Sequence, residues 1–398
     1  MSNVINKIIW KIRNPHFYNG IRKTDLIIYD DYFPNPVTGF RIAEFLEILK
    51  SISSTKILIS PINSYKTYGL NNSDFEKHKR EFANSYPKFK NSVRKVSRFN
   101  NINAKLFYFV FLNNGRRIIP YLNRNKINFI FTLYPGGGFK MNNERSDIDL
   151  KEIMSSKYFK GVIVNQECIK DYLIEKNICT EMQIHNIVGI PVPQIKLEFP
   201  ESEKIYYAER KGVLDICFIA AKNLARGEDK GYDLFIDVAI KLHKKYRDLK
   251  FHVVGGFSEK EIDVTELGNS ITYYGYIDTN DLPNTLKSFD IVLSPNRPNM
   301  LGAGSFDGFP LGASVDASLV GCLMAVTDQL NQNKRYLENE EIIIIQPNSE
   351  DIIRKIENLI AFPEKIRQIG IAGMQKTKEL FSYQNQIETR LQILKKWL

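Results

Sequence analysis

Short apolar runs alternate with helix-length segments along most of the chain, and no other feature restricts the fold so strongly. In the first half the expected strands are Leu26–Tyr29, Lys56–Ser60, Leu106–Phe111, Phe129–Leu133, Gly161–Val164 and Ile184–Val188. In the second they are Leu214–Ala220, Phe251–Val254, Ile271–Tyr274, Ile291–Ser294, Leu323–Thr327 and Ile342–Ile345. Expected helices between them include Ile42–Lys50, Asp74–Ser97, Asp149–Ser155, Tyr232–Tyr246, Leu282–Ser288, Gly312–Leu319 and Asp351–Leu359. Such alternation specifies βαβ units and parallel sheets, which hold ligands outside the carboxyl ends of their strands.

A chain of 398 residues exceeds what one compact core organises. The series breaks at Gly189-Ile-Pro-Val-Pro193, where two prolines interrupt any ladder or helix and polar residues follow to Lys211. The expected organisation is therefore an α/β domain over 1–190, a linker over 191–212, a second α/β domain over 213–380 and a terminal amphipathic helix over 381–398. Two parallel-sheet domains on one linker enclose a cleft.

The formal net charge of +10 is unevenly placed. Residues 1–190 carry 29 basic and 16 acidic side chains, and the remainder carry 26 and 29. Residues 76–98 alone hold eight basic against two acidic. Basic patches of this kind attract a phosphorylated substrate or an anionic membrane surface, and equally serve as a solvated face. Residues 4–12 form a short amphipathic pattern around Trp10, suited to a membrane interface or to packing on the domain. No apolar run reaches the length of a membrane span, and Lys7, Lys11 and Arg13 break any signal-peptide core. The expected location is cytoplasmic, at most peripheral at the inner face of the membrane. Four scattered cysteines read as reduced thiols, and five histidines lack ligand spacing, so no metal is expected. No nucleic-acid recognition motif accompanies the charge, and nucleic acid is not an expected partner.

The chemistry concentrates in Ser305–Cys322. Asp307 precedes a Gly308-Phe309-Pro310-Leu311-Gly312 loop that opens an Ala/Ser/Leu helix carrying Asp316. Free N–H groups at such a helix start favour an anion. Carboxylates beside phosphates make sense when they face hydroxyls, and a nucleotide sugar supplies these on hexose and ribose. Upstream, Lys222, Arg226 and Lys230 stand with two glycines between a strand end and a helix start, a composition suited to a diphosphate or to a solvated mixed-charge loop. Tyr276 follows another strand end and suits a base. In the first half, the Asn35–Phe40 loop contains Gly39, and Tyr134-Pro-Gly-Gly-Gly-Phe139 follows a strand. Glycine permits close backbone approach to a ligand, and the triple glycine equally suits a turn of positive φ.

In this order, Lys230-Gly231 opening a helix, His252-Val-Val-Gly255, Tyr274-Gly-Tyr-Ile277, Ser288–Pro295 and Asp307–Ala317 resemble the donor half of GT-B glycosyltransferases of family 4. The resemblance covers about Leu214 to Leu380; the first half shares only the alternating pattern, the Gly39 loop and its place in the chain. It implies two Rossmann-like domains facing a cleft, with a C-terminal helix crossing back to the first. It also implies retaining sugar transfer from a nucleotide diphosphate sugar, without a metal or further cofactor. The acceptor would be a saccharide or a lipid-linked one, in cell-surface polysaccharide or glycoconjugate synthesis.

By the same resemblance, Asp307 would contact the hexose as the catalytic residue and Asp316 the ribose. Lys230 with Lys222 or Arg226 would hold the diphosphate, while Gly39 would approach it from the first domain. Three positions depart from the family pattern. Both acids are Asp rather than Glu, their spacing is one residue longer, and Tyr134 stands where many members carry histidine. These departures support an alternative, a catalytically weak GT-B protein that partners another glycosyltransferase.

Overall fold

The computed structural model describes residues 24–60, 65, 69–96, 99, 102–210 and 212–398. The amphipathic pattern at residues 4–12 lies outside the described residues. The first sheet contains β1 (Thr24–Asp30), β2 (Thr55–Ile59), β3 (Val93–Lys95), β4 (Ala104–Val110), β5 (Asn128–Leu133), β6 (Phe159–Val164) and β7 (Ile184–Asn186). Their spatial order is β3-β2-β1-β4-β5-β6-β7, parallel throughout. The second contains β8 (Leu214–Ala220), β9 (Leu249–Gly255), β10 (Ile271–Gly275), β11 (Ile291–Ser294), β12 (Leu323–Thr327) and β13 (Ile343–Ile345), in the order β10-β9-β8-β11-β12-β13. It too is parallel. Chain order reverses between β1 and β4 and between β8 and β11, which places a ligand crevice at the carboxyl ends of those strands.

The central strands read as continuous apolar runs because both faces are buried. Along β1, Ile27 and Tyr29 enter one core while Leu26 and Ile28 enter the core on the other face. Along β8, Ile216 and Phe218 face one core while Cys217 and Ile219 face the other. This two-sided burial is what made the strands visible as apolar blocks.

The helix expected over Asp74–Ser97 is shorter and is followed by a strand. It spans Asn72–Ser85, opened by a capping box between Asn71 and Asp74. Pro87 begins a separate turn, since proline disfavours a helical residue before it. Val93–Lys95 then forms the edge strand β3. Its Arg94 and Lys95 carry the charge that commonly protects a sheet edge. Helices at Leu112–Asn125, Glu167–Glu175 and Glu364–Leu380 add to those expected.

The C-terminal segment crosses back to the first domain, as expected. After a π-turn at Gln384–Glu388 and a helix at Thr389–Lys395, Ile387, Leu391 and Leu394 are buried among Leu26, Ile28 and Phe45. The Gln386 amide donates to the Val188 carbonyl at 2.7 Å. Arg390, 1% exposed, lies 3.5 Å from the fully buried Glu44 carboxylate, which also accepts from the Tyr108 hydroxyl. Burial pushes the Glu44 carboxyl up, and Arg390 pulls it back.

Among the described residues no helix is long and apolar enough to cross a membrane. Nor does any group of three or more His, Cys, Asp or Glu among them offer a metal site.

Candidate functional site

The loop between β8 and the helix Tyr232–Lys245 supplies the central cation. Gly231 sits at φ +75°, and a Cβ there would stand 2.2 Å from the Pro295 carbonyl oxygen beyond β11. Glycine thus lets the loop cross the neighbouring strand end, which delivers Lys230 to the crevice. The Lys230 ammonium, in a residue 9% exposed, donates to both carboxylate oxygens of Asp307 at 2.7 and 2.8 Å. Asn296 donates to one of those oxygens at 2.9 Å.

Asn296 and Arg297 follow β11 at the chain reversal and were missed by sequence reasoning. The Ser294 hydroxyl donates to the Asn296 amide oxygen at 2.8 Å, and the Thr327 hydroxyl to its carbonyl at 2.6 Å. Arg297 binds both oxygens of Asp233 at 2.6 and 2.7 Å and the Glu228 carbonyl at 2.8 Å. It therefore clamps the Lys230 loop to the start of the following helix. The available signal was position alone: they lie two and three positions past the end of a strand, at the carboxyl edge.

Gly308, Phe309, Pro310 and Leu311 continue from Asp307 around one cavity, also lined by Ser294, Asn296, Arg297, Thr327 and Gln332. The Leu311 carbonyl accepts the Val315 N–H at 2.9 Å, which starts the helix Gly312–Leu319. The first N–H groups of that helix have no intrahelical acceptor. The first domain closes on this loop. The Gln166 amide donates to the Phe309 carbonyl at 3.3 Å, and Gly308 faces the same side chain. Further along the seam, the Met141 N–H donates to the Gly304 carbonyl at 2.9 Å, and Lys140 to that of Leu301 at 2.6 Å.

The other expected site residues are more dispersed. Asp316 pairs at 2.8 Å with Lys196 of the linker, a residue 2% exposed. Lys222 pairs at 2.6 Å with Glu261. Partial burial works to raise the Glu261 carboxyl, yet Lys222 and the Ser258 N–H and hydroxyl hold it down at about 2. Arg226 is exposed, with no ion-pair partner among the described residues. Tyr276 is 53% exposed, its hydroxyl lying over Gly256. Gly39 meets the second domain directly: a Cβ there would stand 2.5 Å from Thr279 Oγ1 and 3.7 Å from Pro193 Cγ. The structure thus joins Asp307, Lys230 and the 308–311 loop in one constellation, and seats Gly39 and Asp316 against other parts.

The Tyr134 loop has a structural role. Gly136, Gly137 and Gly138 all adopt positive φ, and a Cβ on Gly137 would lie 2.4 Å from the Phe111 ring. Tyr134 is 4% exposed and packs on Phe40 and Phe111. Burial raises its hydroxyl far above the ordinary range.

Residues 217–376 match the family model of glycosyl transferases group 1. No curated protein sequence matches the chain. Among solved structures, Anabaena Alr3699/HepE in complex with UDP is similar at 13% identity and a TM-score of 0.64, over 94% of this chain and 99% of that one. A glycosyltransferase from Rickettsia africae ESF-5 aligns at 15% identity and a TM-score of 0.61, over 94% and 99%. Sucrose-phosphate synthase from Thermosynechococcus elongatus aligns at 13% and 0.60, over 94% and 98%.

Proposed function

We propose, from a GT-B fold whose second domain matches glycosyl transferases group 1, that this protein moves a sugar from a nucleotide diphosphate sugar to an acceptor held by its basic first domain. The observation that carries the reading is the Lys230–Asp307–Asn296 constellation at the strand reversal of the second sheet, beside the helix start at Gly312. In this reading the donor diphosphate lies between Lys230 and the first N–H groups of that helix. Negative charge grows on the diphosphate as the sugar leaves, and fixed cations and N–H dipoles lower that barrier without a metal. Asp307 then faces the hexose hydroxyls and Asp316 the ribose. Contacts such as Gln166 to Phe309 hold the domains together, so that water is excluded and transfer is favoured over hydrolysis.

Retention of anomeric configuration follows the family resemblance, with the leaving phosphate accepting the proton of the acceptor hydroxyl. The acceptor is a saccharide or a lipid-linked one. The helix Asn72–Ser85 and the segment after it, carrying Lys77, Lys79, Arg80, Lys88 and Lys90, face an anionic membrane at the cytoplasmic surface. Structural neighbours solved with UDP and with UDP-glucose support testing uridine nucleotides first.

A second reading, a non-catalytic partner of another glycosyltransferase, draws on one feature. Lys230 and Lys222, two of the three cations expected at a diphosphate, are neutralised by Asp307 and Glu261. Incubating the protein with a panel of nucleotide sugars, with and without saccharide acceptors, separates the two. Diphosphate release that disappears in Asp307→Asn supports the transferase. Binding with no turnover on any acceptor supports the partner, and absence of binding removes the donor-site reading and leaves the partner as the better one.

A further inference from the structure

The linker and Ile190 just before it touch the donor-site candidates in three places. Ile190 fills the space that a side chain on Gly312 would occupy, 2.9 Å from where its Cβ would stand. Pro193 lies against Gly39 at 3.7 Å by the same measure. Lys196, on the short helix Gln194–Leu197, reaches Asp316 at 2.8 Å. The short stretch 190–196 therefore contacts the first-domain glycine, the start of the anion-facing helix and the second acid.

Gly312 and Asp316 stand four residues apart on that helix and so share a face. Val315 and Leu319, on an adjoining strip, pack with Val192, Leu197 and Phe381 in a small apolar cluster. Lys196 is thus anchored beside apolar surface with its side chain 3% exposed, while that of Asp316 is 21% exposed. A buried ammonium is costly unless paired. Asp316 is the one ion-pair partner of Lys196 among the described residues. The pairing occupies Oδ2, and Oδ1 has no protein partner among the described residues.

We infer that Lys196 is a positioning residue for the donor: it fixes the Asp316 carboxylate so that Oδ1 is presented to the ribose hydroxyls. The inference rests on the donor-site reading of Asp316. Without Lys196 the carboxylate is free to rotate, and the ordering cost falls on nucleotide binding. Because Lys196 belongs to the linker, ribose binding is also tied to the segment that joins the two domains. Aspartate is one methylene shorter than glutamate, and a cation behind it holds the shorter side chain in place.

The experiment is calorimetric titration of the full-length protein with UDP, GDP, ADP and CDP and their 2′-deoxy counterparts. Wild type, Lys196→Met, Lys196→Arg and Asp316→Asn are compared, with circular dichroism verifying that each is folded. Wild type is expected to prefer one ribonucleotide over its deoxy form about tenfold, the scale of one hydrogen bond to a charged group. Lys196→Met is expected to lose that preference as Asp316→Asn does, with affinity for the deoxy form nearly unchanged. Lys196→Arg, which restores the cation, is expected to recover part of it. Retention of full ribose preference by a folded Lys196→Met overturns the inference alone. Should Lys196→Met fail to fold, Lys196→Gln, which keeps a polar side chain but no charge, is titrated in its place: loss of the ribose preference in a folded Lys196→Gln supports positioning by the ammonium, and wild-type preference there overturns it. Failure of wild type to bind any of the nucleotides overturns the donor-site reading and the inference with it.

Discussion

Lys230 grips both carboxylate oxygens of Asp307, at 2.7 and 2.8 Å, although 77 positions of sequence separate them. The pair links the first and last loops of the proposed donor site, so its members are expected to fail differently. Lys230→Met removes the cation facing the diphosphate and should weaken nucleotide diphosphate binding about 10- to 100-fold, the scale of a charge-assisted contact. Asp307→Asn keeps the shape and should lower kcat far more than it raises KM. Equilibrium binding beside initial rates distinguishes them, and equal losses in both quantities for Asp307→Asn would contradict its assigned role.

The C-terminal helix should be held to the first domain largely by Arg390. With Arg390→Met the buried Glu44 carboxylate loses its cation, at a cost of about 3–5 kcal/mol. Glu44 titrates above its ordinary 4.5 in the folded state, chiefly because it is buried. The unfolded chain therefore releases that proton first, and stability falls as pH rises from 4.5 through the folded value. Removing Arg390 pushes the folded value higher still. The deficit of Arg390→Met should accordingly be small near pH 4 and grow toward neutrality, and Glu44→Gln in the same chain should recover much of it. Denaturant unfolding across that range is the check.

What the sequence made legible follows from how each feature is encoded. Strands such as β1 and β8 were visible because both faces are buried, so their apolar runs are local. The edge strand β3 has only three residues, two of them charged, and merged with the helical pattern before it. Asp307, Lys230 and the 308–311 loop stood out individually as acid, cation and glycine turn. That they form one contact is a consequence of topology, since β8 and β11 are neighbours. Lys196 gave no local signal, and Asn296 and Arg297 gave only their place after a strand. A buried lysine reads in sequence like an exposed one, and its partner lies on another element.

Gly39 should set how closely the domains approach. Its Cβ position lies 2.5 Å from Thr279 Oγ1, within the distance that real contacts avoid. Gly39→Ala is expected to wedge the seam open, enlarging the radius of gyration in solution scattering and reducing turnover several-fold. Thr279→Ala removes the obstructing oxygen and should restore both in the double variant. A Gly39→Ala protein of wild-type dimensions and rate would show that the seam is not set here.

The Lys222–Glu261 pair should restrain the diphosphate site. With its carboxyl held at about 2, Glu261 stays ionised through the whole neutral range and keeps Lys222 neutralised at 2.6 Å. Glu261→Gln should release that cation and tighten nucleotide diphosphate binding several-fold, with a steeper dependence on salt because an exposed charge has been added. The same substitution has a pH signature. A carboxyl whose folded value lies below its ordinary 4.5 stabilises the fold above 4.5 and loses that contribution as pH falls toward 2. Wild type should therefore melt above Glu261→Gln at pH 6, and the gap should close on acidification toward pH 2. Unchanged nucleotide affinity combined with the expected melting behaviour would assign Lys222 to the scaffold, leaving Lys230 and Arg226 to face the diphosphate.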